Sequence, residues 1–438
     1  MNQEICAVIR DSLSGRLPML ILRGDDEHAH AGGDIDILVP SHKSIEACQL
    51  IATQAKLAGW YLLGFRNIEY VASITLVRPG MNGHDDAVKL DLISGLGWYG
   101  IGGNVVTNLF FDLHAQHAGD RVGTASLMAF ATYLQKVMAA GNLNTREWSR
   151  ITGGGVSHFD LLITAGRVRF PLLKDDVEEN GVRRLRQWQL RMASSGFSEL
   201  YKVALWIPHA VYSHVRFKLG VGTGMGHLFS LSGLDGSGKS TQMERLFAAY
   251  AKAGGNQPKL VHLLPTWIPM PHQLLRRKQT TQNYTHPYAE APVKSKLSGS
   301  LRLVYYLGAF FLTKCWLRVL TERGNVFVLD RSFVDFAADL ARARIPDFSL
   351  PKWLIRLFTP KGTLLFLDAL PDTVVKRKGE LQLAKATVLR QRYLNVIHVV
   401  EGHVIDSEGT PDAVFVLILK QIDHVYRQRL LTLSTNKT

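Results

Sequence analysis

Short apolar runs punctuate the C-terminal half of the chain at Leu228–Leu231, Leu260–Leu264, Val326–Leu329, Leu364–Leu367 and Val399–Ile405. Between most of them, apolar residues recur at the three- and four-residue spacing of a helix, as in Gln242–Tyr250 and Asp372–Lys378. Buried strands alternating with helices predict an α/β domain, a parallel sheet with helices on both faces. Ligands of such sheets bind at the carboxyl ends of the strands. The N-terminal part reads differently. Strand-like segments lie at Leu20–Leu22, Ile35–Val39 and Val88–Ile93, the last two carrying aspartates between apolar residues, and a separate α+β domain is expected here. The stretch between, 119–225, reads as helices at Ser126–Lys136 and Gly181–Arg191, with a loop at Gly153–Gly155. Four glycines between Gly220 and Gly226 mark a boundary. The expected domains are therefore 1–118, 119–225 and 226–438.

A chain of 438 residues is too long for one ordinary core and calls for two or three domains. Its 46% hydrophobic and 20% charged residues are those of a globular protein, with no low-complexity tract. Two apolar segments, Leu303–Thr313 and Val203–Val215, fall short of the ~20 residues that span a bilayer and are interrupted or bounded by charges. Buried helices are the expectation for both, with peripheral membrane contact as the alternative. Cys6, Cys48 and Cys315 are scattered and odd in number, which fits a reducing cytoplasm. Lys and Arg total 51 against 37 Asp and Glu, a balance of +14 that suits anionic ligands. A generally basic, solvated surface accounts for it equally well. No nucleic-acid-binding signature accompanies the charge.

The segment Gly233-Leu-Asp235-Gly236-Ser237-Gly238-Lys239-Ser240-Thr241 fits G-x-x-x-x-G-K-[ST] without gap or substitution. It lies between a predicted strand and a predicted helix, where backbone N–H groups can surround phosphate. Lys239 is expected to reach the β- and γ-phosphates of ATP, and the Ser240 hydroxyl to hold Mg²⁺. Asp330, ending the Val326–Leu329 run, is expected to join the Mg²⁺ shell or orient an acceptor, and Arg331 to clamp an anionic one. The loop contains no arginine of its own. Transition-state charge must then be met from outside it, and the basic stretch 376–392, with Arg377 and Arg390, is the candidate lid. A solvated charged helix explains the same residues. No Asn-Lys-x-Asp guanine motif occurs, and Asp330 is not followed by Glu, so a phosphotransferase is favoured over a nucleotide-driven switch.

Residues 226–428 resemble thymidylate kinase and its relatives, through Ser232–Gln242, Asp330-Arg331, and Phe366-Leu-Asp368 with its following helix. The resemblance implies a P-loop nucleoside-monophosphate-kinase fold and places Asp235 near the acceptor. The family's Arg-Glu-Pro-Gly segment is replaced by Leu264-Pro-Thr-Trp-Ile-Pro269, and its Asp-Arg-Tyr by Asp330-Arg331-Ser332. Its Ala-Tyr-Gln is absent. The resemblance thus carries the phosphate-donor chemistry and leaves the acceptor open among nucleotide, sugar and sugar phosphate. Arg377-Lys-Gly-Glu-Leu381 with Tyr393 is similar to thymidylate-kinase-like proteins found with bacterial polysaccharide genes.

The N-terminal stretch, about 15–100, resembles the polymerase-beta-type nucleotidyltransferases. Asp34 and Asp36 alternate onto one strand face, and Asp91 lies on a later strand. The resemblance implies that these three hold two Mg²⁺ ions. Asp25 stands where that family has Ser or Gly, and the loop carrying His28 and His30 is acidic. An active transferase, a degenerate acceptor-binding module and an Asp-rich turn all remain open. The whole is expected to be an ATP- and Mg²⁺-dependent kinase with a second, nucleotidyltransferase-like domain. A transferase with an accessory ATPase is the alternative. Expected partners are a nucleoside triphosphate, a small anionic or hydroxyl acceptor and a second copy of the chain.

Overall fold

The computed structural model describes residues 2–23, 34–40, 43–68, 71–95, 226–254, 257–269, 296–346, 348–379 and 381–435, together with 107, 111, 162–163 and 168–169. The chain divides into two compact units. One comprises Met1–Arg78, Ala87–Thr223 and Tyr426–Thr438, the other Pro79–Asp86 and Gly224–Val425. The helices expected within 119–225, the loop at Gly153–Gly155 and the loop with His28 and His30 lie outside the described residues.

In the first unit, α1 (Asn2–Leu13) places Ile5, Ile9 and Leu13 at four-residue spacing, and all three are fully buried. It packs on α2 (Ser44–Leu57), whose Ala47, Cys48, Ile51 and Ala55 form the matching buried stripe. A five-stranded mixed sheet follows the order β1-β2-β5-β4-β3, from β1 (Leu20–Arg23), β2 (Ile35–Leu38), β3 (Tyr61–Ile68), β4 (Val71–Arg78) and β5 (Asp86–Ile93). β1 runs antiparallel to β2, and β2 parallel to β5, a register that sets Asp36 opposite Asp91. A two-residue ladder joins β6 (Leu162–Ile163) to β7 (Val168–Arg169). The last turns of α9 (Pro411–Thr435) return to this unit. There Gln49 donates to the Leu430 carbonyl at 2.8 Å, and Arg427 donates to the Ala52 carbonyl at 2.8 Å.

The second unit is built on five strands, all parallel, in the order β12-β11-β8-β10-β9. They are β8 (Leu228–Gly233), β9 (Lys259–His262), β10 (Phe327–Asp330), β11 (Thr363–Asp368) and β12 (His403–Asp406). β8 is buried along its whole length, as an inner strand covered on both faces must be. β9 and β12 are edges, and β9 exposes Lys259, Leu260 and His262. The chain leaves central β8 toward β9, returns through β10, then crosses to β11 and β12. This reversal opens a crevice at the carboxyl end of β8.

Helices α3 (Lys239–Lys252), α4 (Lys296–Glu322), α5 (Phe333–Ala338), α6 (Lys352–Phe358), α7 (Pro371–Lys378), α8 (Leu383–Val399) and α9 accompany the strands. α5 opens with a capping box: Asp335 accepts from the Ser332 backbone N–H, and the Ser332 hydroxyl accepts from Val334 N–H. Phe333, Phe336 and Phe310 of α4 meet beneath it at ring separations of 5.1–5.6 Å.

Two expectations are amended. The run Val399–Ile405 is not one strand: Val399 ends α8, Glu401 turns at φ +56°, and β12 starts only at His403. The apolar run Leu303–Thr313 belongs to a 27-residue helix, and Leu297–Glu322 is long and apolar enough to cross a membrane by length and composition. One face of α4 is core, through Ala309, Phe310, Thr313 and Leu317. The opposite face exposes Leu297, Leu301, Val304 and Phe311.

Candidate functional site

The crevice at the end of β8 holds a cavity of about 480 Å³. Glycine-loop residues Asp235 through Gln242 line one side of it. The loop's shape depends on glycine. Gly236 and Gly238 sit at φ +98° and +92°, a region that L side chains rarely adopt. A Cβ on Gly233 would stand 2.8 Å from the Leu367 carbonyl, so the loop can lie against β11 only with glycine there.

Lys239 is buried inside the loop and donates to the carbonyls of Gly233 at 2.7 Å and Leu234 at 2.8 Å. Burial pushes its ammonium down to about 8, against the opposing pull of Asp235 at 3.9 Å. Asp235 is itself buried. Its two oxygens accept from Arg331 and from Arg342, each at 2.6 Å. Burial alone would raise this carboxyl, but Arg342, Arg331 and Lys239 prevail and hold it well below the usual carboxylate range.

Asp330 ends β10 and lines the same cavity. Its Oδ2 lies 2.8 Å from Nδ1 of His262, which ends neighbouring β9. Burial raises the Asp330 carboxyl, and the His262 hydrogen bond together with the charges of His262, Arg331 and Lys239 brings it below its ordinary value. Arg331 adopts φ +72°, a conformation that costs a non-glycine residue about 1–3 kcal/mol and persists only where its surroundings impose it. Here the pair with Asp235 on one side and the Ser332 cap on the other impose it. Behind this layer Asp335 accepts from the Ser232 hydroxyl at 2.7 Å and the Tyr393 hydroxyl at 3.1 Å, so it joins β8, α5 and α8. Tyr393 stacks on Phe366 of β11 with ring centroids 5.3 Å apart.

The basic stretch is divided between two helices. Lys376, Arg377 and Lys378 form the exposed end of α7, which Gly379 terminates at φ +64°. Arg377 and Lys378 line the cavity, and Arg377 approaches the Gly236 carbonyl at 3.4 Å. Arg390 lies on α8, outside the cavity lining, where its guanidinium donates twice to Asp368, both at 2.7 Å. The expected lid residues are thus separated: Arg377 is at the site, and Arg390 is committed to the end of β11.

Ser240 and Asp330 fit the magnesium assigned to them from the sequence. A hydroxyl and a carboxylate held ionised are hard oxygen donors, and both face one cavity. Among the described residues no three His, Cys, Asp or Glu side chains are grouped to hold a metal, so the ion would rest on these two and on phosphate oxygens.

In the first unit the two-metal site was expected on Asp34, Asp36 and Asp91. Asp36 and Asp91 do stand side by side on β2 and β5. The cation that accompanies them is Lys89, whose ammonium reaches Asp91 at 2.7 Å and Asp34 at 3.4 Å. Arg66 adds a second positive charge near Asp91. One oxygen of Asp91, Oδ1, is buried without a hydrogen-bond partner.

Sequence reasoning missed His262, Arg342 and the anchoring role of Asp335. His262 lies within a run read only as apolar, although its place at a strand's carboxyl end was a signal. The Ser332-x-x-Asp335 spacing is a capping-box pattern and was also legible. Arg342 reaches Asp235 through a 3₁₀ turn (Leu340–Ala343) that no local pattern announces. No family model and no curated protein matches the chain.

Proposed function

We propose that the second unit is an ATP- and Mg²⁺-dependent phosphotransferase with the P-loop nucleoside-monophosphate-kinase fold, similar to thymidylate kinase. The observation that carries this reading is one cavity lined by the glycine loop, Lys239, Ser240, Asp330 and Arg377. Four cationic side chains line it, Lys239, Arg331, Arg377 and Lys378, against two carboxylates, Asp235 and Asp330. A polyanion answers that excess.

The loop N–H groups and the amino end of α3 receive the phosphates. Lys239, already desolvated, exchanges two carbonyl partners for phosphate oxygens, and their charge restores an ammonium that burial disfavours. Arg377, at the rim, supplies the positive charge that the loop lacks. Bound magnesium would neutralise phosphate charge beside Ser240 and Asp330. An acceptor oxygen attacks the γ-phosphorus: the new O–P bond forms, the bond to the β–γ bridging oxygen breaks, ADP leaves, and an acceptor hydroxyl's proton passes to solvent. The first unit has no catalytic role in this reading.

The test is ATP turnover by the full chain in Mg²⁺ with nucleoside monophosphates, sugars and sugar phosphates as acceptors. Lys239→Ala should lower acceptor-dependent turnover by about 10³-fold. Turnover unchanged by that substitution would remove the assignment.

A further inference from the structure

Resting on the reading just given, the charge arrangement around Asp235 narrows the acceptor. The cavity's positive excess is not evenly spread. Lys239, Arg377 and Lys378 belong to the loop side, where phosphates are received. On the other side the lining cation is Arg331, and the two oxygens of Asp235 engage it and, outside the lining, Arg342, each at 2.6 Å. Asp335 adds a second carboxylate facing Arg331, and both arginines and both carboxylates are wholly or largely buried. Two positive and two negative groups cancel.

A phosphomonoester brought to this side would meet no surplus cation. It would have to evict Asp235 from a buried, doubly hydrogen-bonded pair and leave that carboxylate uncompensated, which is strongly unfavourable. What the side does offer is directional and uncharged in sum. Nη1 of Arg331 is buried with no hydrogen-bond partner. The His262 ring, tied to Asp330 through Nδ1, leaves its other nitrogen on a largely exposed side chain that lines the cavity. One spare donor, an imidazole nitrogen and carboxylate oxygens are the partners of hydroxyl groups, which both donate and accept.

We infer that the acceptor is an uncharged polyhydroxy compound of the sugar class, phosphorylated on a hydroxyl, and that Asp235 is the residue that excludes phosphorylated acceptors. The transfer is ROH plus ATP giving the phosphate ester ROPO₃²⁻, ADP and a proton.

The inference is tested on the full chain saturated with Mg²⁺ and a non-hydrolysable ATP analogue, titrated calorimetrically with inorganic phosphate. Wild type should bind none. Asp235→Asn, which leaves Arg331 and Arg342 with a neutral partner, should bind one phosphate per chain, and Asp235→Asn with Arg331→Gln should lose it. Wild-type phosphate binding that Arg331→Gln abolishes overturns the inference, and so does an Asp235→Asn protein that folds and gains no phosphate site. A second measurement needs no variant: wild-type turnover of free sugars should exceed that of the matching sugar monophosphates by about tenfold or more, and the reverse preference overturns the inference. Failure of the ATP analogue to bind is a different signal. It removes the triphosphate reading itself, and this inference with it.

Discussion

Each unit gathers carboxylates and cations at the carboxyl ends or inner faces of its strands, and the two gatherings are opposite in kind. In the second unit one carboxylate, Asp235, is shared among Arg331, Arg342 and Lys239, and further cations remain at the cavity rim. In the first unit Asp34 and Asp91 share Lys89, with Arg66 near Asp91. The difference shows that a motif of charged residues does not identify a site until its internal compensation is counted. The cavity at the glycine loop is lined by four cations, Lys239, Arg331, Arg377 and Lys378, against two carboxylates, Asp235 and Asp330. Of the three aspartates that read from sequence as metal ligands, Asp34 and Asp91 share the ammonium of Lys89.

The largest expected effect probes the compensated carboxylate of the second unit. Asp235→Asn should destabilise this unit by about 3–5 kcal/mol at neutral pH, because two buried guanidinium groups lose their counter-charge. The folded carboxyl titrates below its unfolded value. Its stabilisation is therefore fully present above the ordinary carboxylate range and lost as pH falls through the folded value. Denaturant melts of both proteins from neutral to strongly acidic pH should show the gap narrowing only below about pH 4. A gap that is constant down to the lowest pH at which both proteins fold would break the electrostatic account.

Next in size is Arg377→Gln, which should lower acceptor-dependent ATP turnover by about 10²-fold with little change in melting temperature. A smaller effect tests the other unit. Lys89→Met should destabilise the first unit by about 1–2 kcal/mol, and Mg²⁺ should restore part of the loss, since a divalent ion can take the place of the ammonium between Asp34 and Asp91. Wild type should show no comparable Mg²⁺ shift in that unit's melting, and a large one would return the trio to the role of metal centre. The smallest effect is expected for Arg390→Gln. Its guanidinium is spent on Asp368, so turnover should stay within about threefold of wild type. Equal losses for the Arg377 and Arg390 variants would show that both arginines reach the phosphates.

The parallel sheet was legible because its inner strands β8, β10 and β11 are compact apolar runs, as strands covered on two faces are. The loop's shape was legible because Gly236 and Gly238, at φ +98° and +92°, lie within one short stretch of chain ahead of Lys239. Contacts made across the fold were not. Nothing local pairs Arg342 with Asp235, or commits Arg390 to Asp368, since each joins elements distant in sequence. The Val399–Ile405 run misled because apolar residues continue through a turn, and only Glu401 at φ +56° separates helix from strand.

The edge position of β9 has a consequence for how such a protein diverges. His262 reaches the cavity from a strand paired on one side only, with Lys259 and Leu260 facing outward. The phosphate loop, by contrast, grows from the fully enclosed β8. Substitutions in β9 disturb little packing, whereas those in β8 disturb the centre of the sheet. Change along the outer strand therefore alters one wall of the cavity while the centre of the sheet stays undisturbed.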